Sequence, residues 1–192
     1  MKKINIILLG LVGLFTLNSC GEDKKNNSAE ESAMPMQNDS RMESEDTSAN
    51  LDDGKQTGNP EFENEDLAAV YEDYLELKTF LVNSDASKSR KAGEELAKSL
   101  EQTEGGETAL EAAQIIASNS DLKEQRTAFS DLSAAVETML AGNLASGAVY
   151  KQFCPMAFDG AGGYWLSSSE EVRNPYYGDM MLKCGRVEDT IQ

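Results

Sequence analysis

Between residues 63 and 142 apolar side chains return every three or four positions, and short polar or glycine breaks cut the run into four pieces. Such spacing collects the apolar residues on one stripe of each helix. Four stripes joined by short breaks have few ways to leave water except against one another. Asn64 stands where an N-cap belongs, and Glu65 and Asp66 complement the helix dipole behind it. Leu67, Val70, Tyr71, Tyr74, Leu77 and Leu81 form the first stripe, and Asn83-Ser84-Asp85 ends it and caps a second helix. That helix presents Ala92, Leu96 and Leu100 before Gly105-Gly106, and a shorter third turns Leu110, Ala113, Ile116 and Ala117 inward. After Asn119-Ser120-Asp121, with Asp121 and Glu124 at capping-box spacing, the fourth carries Leu122, Arg126, Phe129, Leu132, Val136 and Met139 up to Gly142. The pattern predicts a mainly α fold, an antiparallel four-helix bundle with a C-terminal short-strand and loop segment. Met139 is expected in the core, and Arg126 is expected to snorkel or to pair with a carboxylate.

The chain ahead of the bundle reads differently. Lys2 and Lys3 precede an apolar run over residues 4–17, too short to span a membrane, that closes on Leu17-Asn18-Ser19-Cys20. This is the pattern of a lipoprotein signal: residues 1–19 are cleaved and the Cys20 thiol is acylated, which supplies a stable membrane anchor. Gly21 in place of Asp implies, by analogy with such lipoproteins, the outer membrane of a Gram-negative cell, with the protein facing the periplasm. Residues 20–61 are Asn, Ser, Glu and Asp with scattered Lys, without an apolar pattern that could offset chain entropy. They are expected to form an acidic, disordered tether whose removal leaves the folded part, residues 62–192, as stable as before.

Composition removes whole classes of chemistry. The 192 residues contain no histidine, so imidazole-based nucleophile systems, His-ligated zinc and imidazole proton shuttles are excluded. With 34 acidic against 17 basic residues the formal net charge is -17, which argues against nucleic acid as a partner. No acid–base or nucleophile constellation stands out, and an enzyme is not expected.

Chemistry concentrates in residues 149–187, which hold the single tryptophan, Cys154, Cys184 and a cluster of glycines and tyrosines. Alternation over Val149-Tyr150-Lys151-Gln152-Phe153-Cys154-Pro155-Met156 predicts a strand with Cys154 and Met156 on one face. Tyr164-Trp165-Leu166 reads as a second strand, with Tyr164 and Trp165 packing the segment onto the helices. Asn174-Pro175-Tyr176-Tyr177-Gly178 has turn chemistry, and Asp179 is placed to cap one helical turn running to Gly185. On that turn Met181 lies beside Cys184, with Met180 in reserve one residue away. Two thiols with thioethers and no imidazole suit a soft monovalent ion, Cu(I) or Ag(I), ligated by Cys154, Met156, Met181 and Cys184. The same two cysteines, an even pair once Cys20 is acylated, equally suit a structural disulfide in an oxidising compartment. Residue chemistry leaves the two readings open.

Several ordered motifs carry a resemblance. Cys154-Pro155-Met156-Ala157, Gly163-Tyr164-Trp165-Leu166-Ser167, Asn174-Pro175-Tyr176-Tyr177-Gly178 and Met181-Leu182-Lys183-Cys184-Gly185 follow one another in that order. With Tyr74-Leu75-Glu76-Leu77-Lys78, Ser84-Asp85-Ala86 and Glu124-Gln125-Arg126 ahead of them, the region from Asp66 to Val187 resembles a bacterial protein family of unknown function numbered 3347. The resemblance implies small periplasmic lipoproteins, or a domain appended to the periplasmic adaptor subunits of heavy-metal efflux pumps. That setting shifts the expectation toward Cu(I)/Ag(I) handling with an efflux adaptor as partner. The alternative is an envelope interaction domain stapled by Cys154 and Cys184.

Overall fold

The computed structural model describes residues 55–192. The expected signal segment 1–19, the expected lipidation site Cys20 and most of the expected tether lie outside the described residues. Four substantial helices are followed by small antiparallel sheets: β1 (Glu61–Phe62), α1 (Glu65–Val82), α2 (Ala86–Glu101), α3 (Glu107–Ser118), α4 (Leu122–Leu140), β2 (Leu144–Ser146), β3 (Val149–Cys154), β4 (Gly163–Ser167) and β5 (Arg186–Ile191). The helix starts are set by the residues the sequence offers for them. Asn64 Oδ1 accepts from the Asp66 amide at 2.7 Å, Asp85 Oδ1 from Lys88 at 2.8 Å, and Asp121 Oδ1 from Lys123 and Glu124 at 2.8 and 3.1 Å.

Each helix packs against the next, and α4 also meets α1 and α2. Leu67, Val70, Leu77, Leu81, Leu96, Leu100, Ile116, Phe129, Leu132, Val136 and Leu140 are all buried in one core. Met139, expected in that core, is only partly buried, because Leu140 takes the inward position at the end of α4. Gly93 sits where α2 and α3 come closest: a Cβ there would lie 3.1 Å from the Ala117 amide nitrogen and 3.1 Å from Ile116 Cγ2.

In the C-terminal layer β3 is central, with β4 and β5 antiparallel on its two sides. β4 lies against α4. The outer edge of β4 would expose unpaired backbone groups, and tyrosine hydroxyls close it. Tyr74 of α1 accepts from the Leu166 amide at 3.0 Å and is bonded to Ser133 of α4 at 2.8 Å. Tyr176 donates to the Tyr164 carbonyl, and Ser168 Oγ lies 3.1 Å from the Tyr71 hydroxyl. Ring contacts run from Phe62 through Tyr71, Tyr74, Phe129 and Tyr176 to Trp165, with centroids 5.1 to 6.2 Å apart. The layers are thus joined by aromatic rings whose hydroxyls also satisfy a strand edge.

Three expectations change. The fold takes in the chain before residue 62: Thr57 and Gly58 donate to the Ser168 carbonyl at 2.8 and 2.9 Å, and Ala148 donates to Gly58 at 2.9 Å. Tyr164 does not pack inward as Trp165 does; it is exposed, with Lys151 Nζ 4.7 Å from its ring centre, because adjacent strand residues point to opposite faces. β5 completes the sheet although nothing marked it in the sequence.

Candidate functional site

Cys154 is the last residue of β3 and wholly buried, packed in the core with Trp165 and Tyr176. Its cross-strand partner is Gly163, where a Cβ would come 2.7 Å from the Tyr176 ring. Glycine opposite the thiol is what lets that ring pack against the strand end.

Cys184 reaches the same place by a different route. Asn174, fully buried, holds the returning chain: its amide donates to the Leu182 carbonyl at 2.9 Å, and its Nδ2 donates to the Cys184 carbonyl at 2.7 Å. Its Oδ1 accepts from Tyr176 at 2.8 Å, so one side chain fastens both ends of the loop. Gly185 (φ 149°) then passes so close to β3 that a Cβ would lie 2.9 Å from the Phe153 carbonyl oxygen and 3.0 Å from the Trp165 ring. That close approach of the residues flanking the two cysteines brings the sulfurs to 3.4 Å, across 30 positions of sequence. Both are free thiols. The Cys184 thiol is held above its ordinary pKa, first by its hydrogen bond to Cys154, then by burial and by the charge Cys154 would carry.

The methionines are placed less closely. β3 ends at Cys154, and Pro155 and Met156 already belong to the turn that follows, so the shared strand face expected for Cys154 and Met156 does not exist. Met156 is 52% exposed. The single helical turn expected to carry Met181 and Cys184 is a 3-10 turn, Gly178–Met181, without a side-chain cap from Asp179. It stops before Cys184, whose amide donates to the Met181 carbonyl at 2.9 Å. Gly178, in the left-handed region at φ 59°, opens that turn close against α1, with the Val82 carbonyl 2.7 Å from where a Cβ would stand. Met181 is 40% and Met180 72% exposed. The two thiols are therefore brought together, with the three methionines at the surface on the adjoining turns. Among the described residues no group of three or more His, Cys, Asp or Glu is placed to hold a metal ion.

Asn174 and Gln152 matter more than their sequence neighbourhoods suggest. Gln152 is buried beside Cys154 on β3, and its Nε2 donates to the Ser169 carbonyl at 2.8 Å and the Glu171 carbonyl at 3.3 Å, drawing the loop after β4 over the sheet. An uncharged polar residue in an alternating strand gave only a faint signal of this.

Comparison with known proteins bears on the helices. Residues 70–147 match the model of a family described as protein of unknown function (DUF3347), from within α1 to just past β2. The match stops before Cys154, so the Cys/Met segment lies outside it. No curated protein and no solved structure matches the chain. Residues 70–147, with their four helices and the breaks between them, are thus the part of the chain that matches the DUF3347 family of unknown function.

Proposed function

We propose that this chain is a cell-envelope module, lipid-anchored through Cys20, that binds one Cu(I) or Ag(I) ion in its reduced form. Its frame in this reading is an antiparallel four-helix bundle, supported by the packing of consecutive helices across short breaks. The observation that carries the reading is the 3.4 Å meeting of Cys154 and Cys184. Two thiolates on separate, braced elements make a soft chelate, and no histidine anywhere in the chain favours a harder ion. Met156 follows Cys154 by two residues and Met181 precedes Cys184 by three, and both supply thioethers from the rim, with Met180 in reserve. Their exposure suits a module that takes up and hands on its cargo, to a heavy-metal efflux adaptor in the setting the family resemblance implies.

The test is anaerobic competition for Cu(I) against a chelator, with the wild type, Cys184→Ser and Met156→Leu all reduced. Cys184→Ser is expected to lose at least about tenfold in affinity and Met156→Leu less than that. Equal affinities in all three would place the ligands elsewhere.

A second reading has its own observation. Cys154 is wholly buried while all three methionines face solvent, which is the arrangement of a disulfide staple with incidental methionines. Such a bridge would stabilise the fold by roughly 3–4 kcal/mol on the chain-entropy model. Mass spectrometry of protein purified without reductant distinguishes the two: a bridge that resists mild reduction supports the staple, and thiols that load with metal support the module.

A further inference from the structure

We infer that the cleft between the start of α4 and the turn at Ala157–Gly160 binds a small carboxylate carried on a flat apolar body. This cleft shares Tyr176 and Met180 with the surroundings of the thiol pair, but its assignment does not rest on the metal reading. The cleft has a volume of about 570 Å³ and is walled by Phe158, Tyr176, Tyr177 and the exposed Met180. Arg126 enters it from α4. Its Nε donates to the Pro175 carbonyl at 2.8 Å, and Nη2 to the Leu81 carbonyl at 3.1 Å and Ser84 Oγ at 3.0 Å. The remaining nitrogen, Nη1, makes no hydrogen bond among the described residues, and Arg126 makes no salt bridge there.

A half-buried guanidinium without a bonded counter-ion is an unusual thing to keep, because burial disfavours the charge. Burial does lower the Arg126 pKa, with the charge of Asp179 acting in the opposite direction. Asp179 does not line the cleft; two carboxylates do. Asp121 is committed to the Lys123 and Glu124 amides, and Asp159 is exposed at the rim. Lys123 adds a second positive charge at the edge. A carboxylate would therefore meet the unused Nη1 of Arg126, and the rings beside it would cover whatever the carboxylate is attached to.

The backbone around the cleft is itself distorted. Phe158 (φ 53°, ψ 54°) and Asp159 (φ 57°, ψ 29°) stand consecutively in the left-handed region, which non-glycine residues seldom adopt. The distortion turns the Phe158 ring edge-on to Tyr176 at 5.0 Å and makes it a wall of the cleft.

The test uses the full metal-free chain and three probes, benzoate, benzamide and acetate, titrated by ligand-observed NMR. Benzoate is expected to bind saturably, with benzamide and acetate each at least about tenfold weaker. Arg126→Gln should abolish benzoate binding, but Arg126 also braces two backbone carbonyls. The exposed Met180→Glu therefore provides the second variant: a like charge at the mouth, expected to weaken benzoate about tenfold with the melting temperature unchanged. Absence of saturable benzoate binding, equal binding of benzamide, or unaltered benzoate affinity in Met180→Glu would each overturn the assignment.

Discussion

Tyr74 shows how a single side chain can join two layers. Its ring stacks on Phe129 at 5.1 Å, and its hydroxyl bridges Ser133 of α4 and the Leu166 amide of β4. Tyr74→Phe keeps the ring and strands a buried strand amide, and is expected to cost about 1–3 kcal/mol in denaturant unfolding. Burial also raises the pKa of Tyr71, Tyr74 and Tyr176 above the ordinary phenol value. The unfolded chain releases those protons near the unperturbed value of 10.0 while the folded chain still holds them. Stability is therefore fully present below that pH and falls as pH rises above it. Alkaline titration at the phenolate absorbance should show these three tyrosines ionising together with unfolding; their ionisation in the folded protein would contradict the burial argument. Tyr71 and Tyr74 were legible as helix-stripe residues, because a stripe records which way a side chain points. Their hydroxyl partners were not, because Leu166 and Ser168 lie more than 90 positions away.

At the scale of elements, the helices were readable because each carries its own instructions: a cap, a stripe and a break. Asp121→Ala removes an acceptor shared by two amides, and a loss of about 1 kcal/mol is expected from thermal melts. The reciprocal bond that Glu124 would make in a full capping box is absent from the described hydrogen bonds, so Asp121 carries the cap. β5 was not readable. Arg186-Val187-Glu188-Asp189-Thr190-Ile191 is mostly exposed and lies at the sheet edge, so its pairing with β3 leaves almost no apolar alternation. The methionine placement failed for a related reason. Strand alternation and helical spacing were extended past Cys154 and Met181, where Pro155 and the Asn174 hydrogen bonds take the backbone elsewhere. Asn174→Ala should free the Cys184 carbonyl and loosen the loop. Faster alkylation of Cys184 under native conditions is the expected result, and unchanged labelling would remove Asn174 from its positioning role.

For the whole molecule, the C-terminal layer is attached at both ends of the helical part. Residues 57–58 bond to Ser168 and Ala148, and β1 pairs with β2. Deleting residues 21–54 is expected to leave the melting temperature unchanged, whereas extending the deletion to residue 61 should lower it by several degrees, since each lost backbone bond is worth about 1 kcal/mol. The same attachment keeps β3 and the Asn174 loop in register, and with them the two sulfurs. In the proposed Cu(I) site, where the Cys184 thiol is held protonated beyond its ordinary range, metal would have to displace that proton, and affinity is expected to climb with pH through the neutral range. The most direct measurement is X-ray absorption at the copper edge on the full chain, loaded anaerobically with one equivalent of Cu(I). A shell made of sulfur alone, diminished in Cys184→Ser, is the expected result. A shell of nitrogen and oxygen, or an unchanged sulfur shell in that variant, would contradict a Cu(I) site at Cys154 and Cys184.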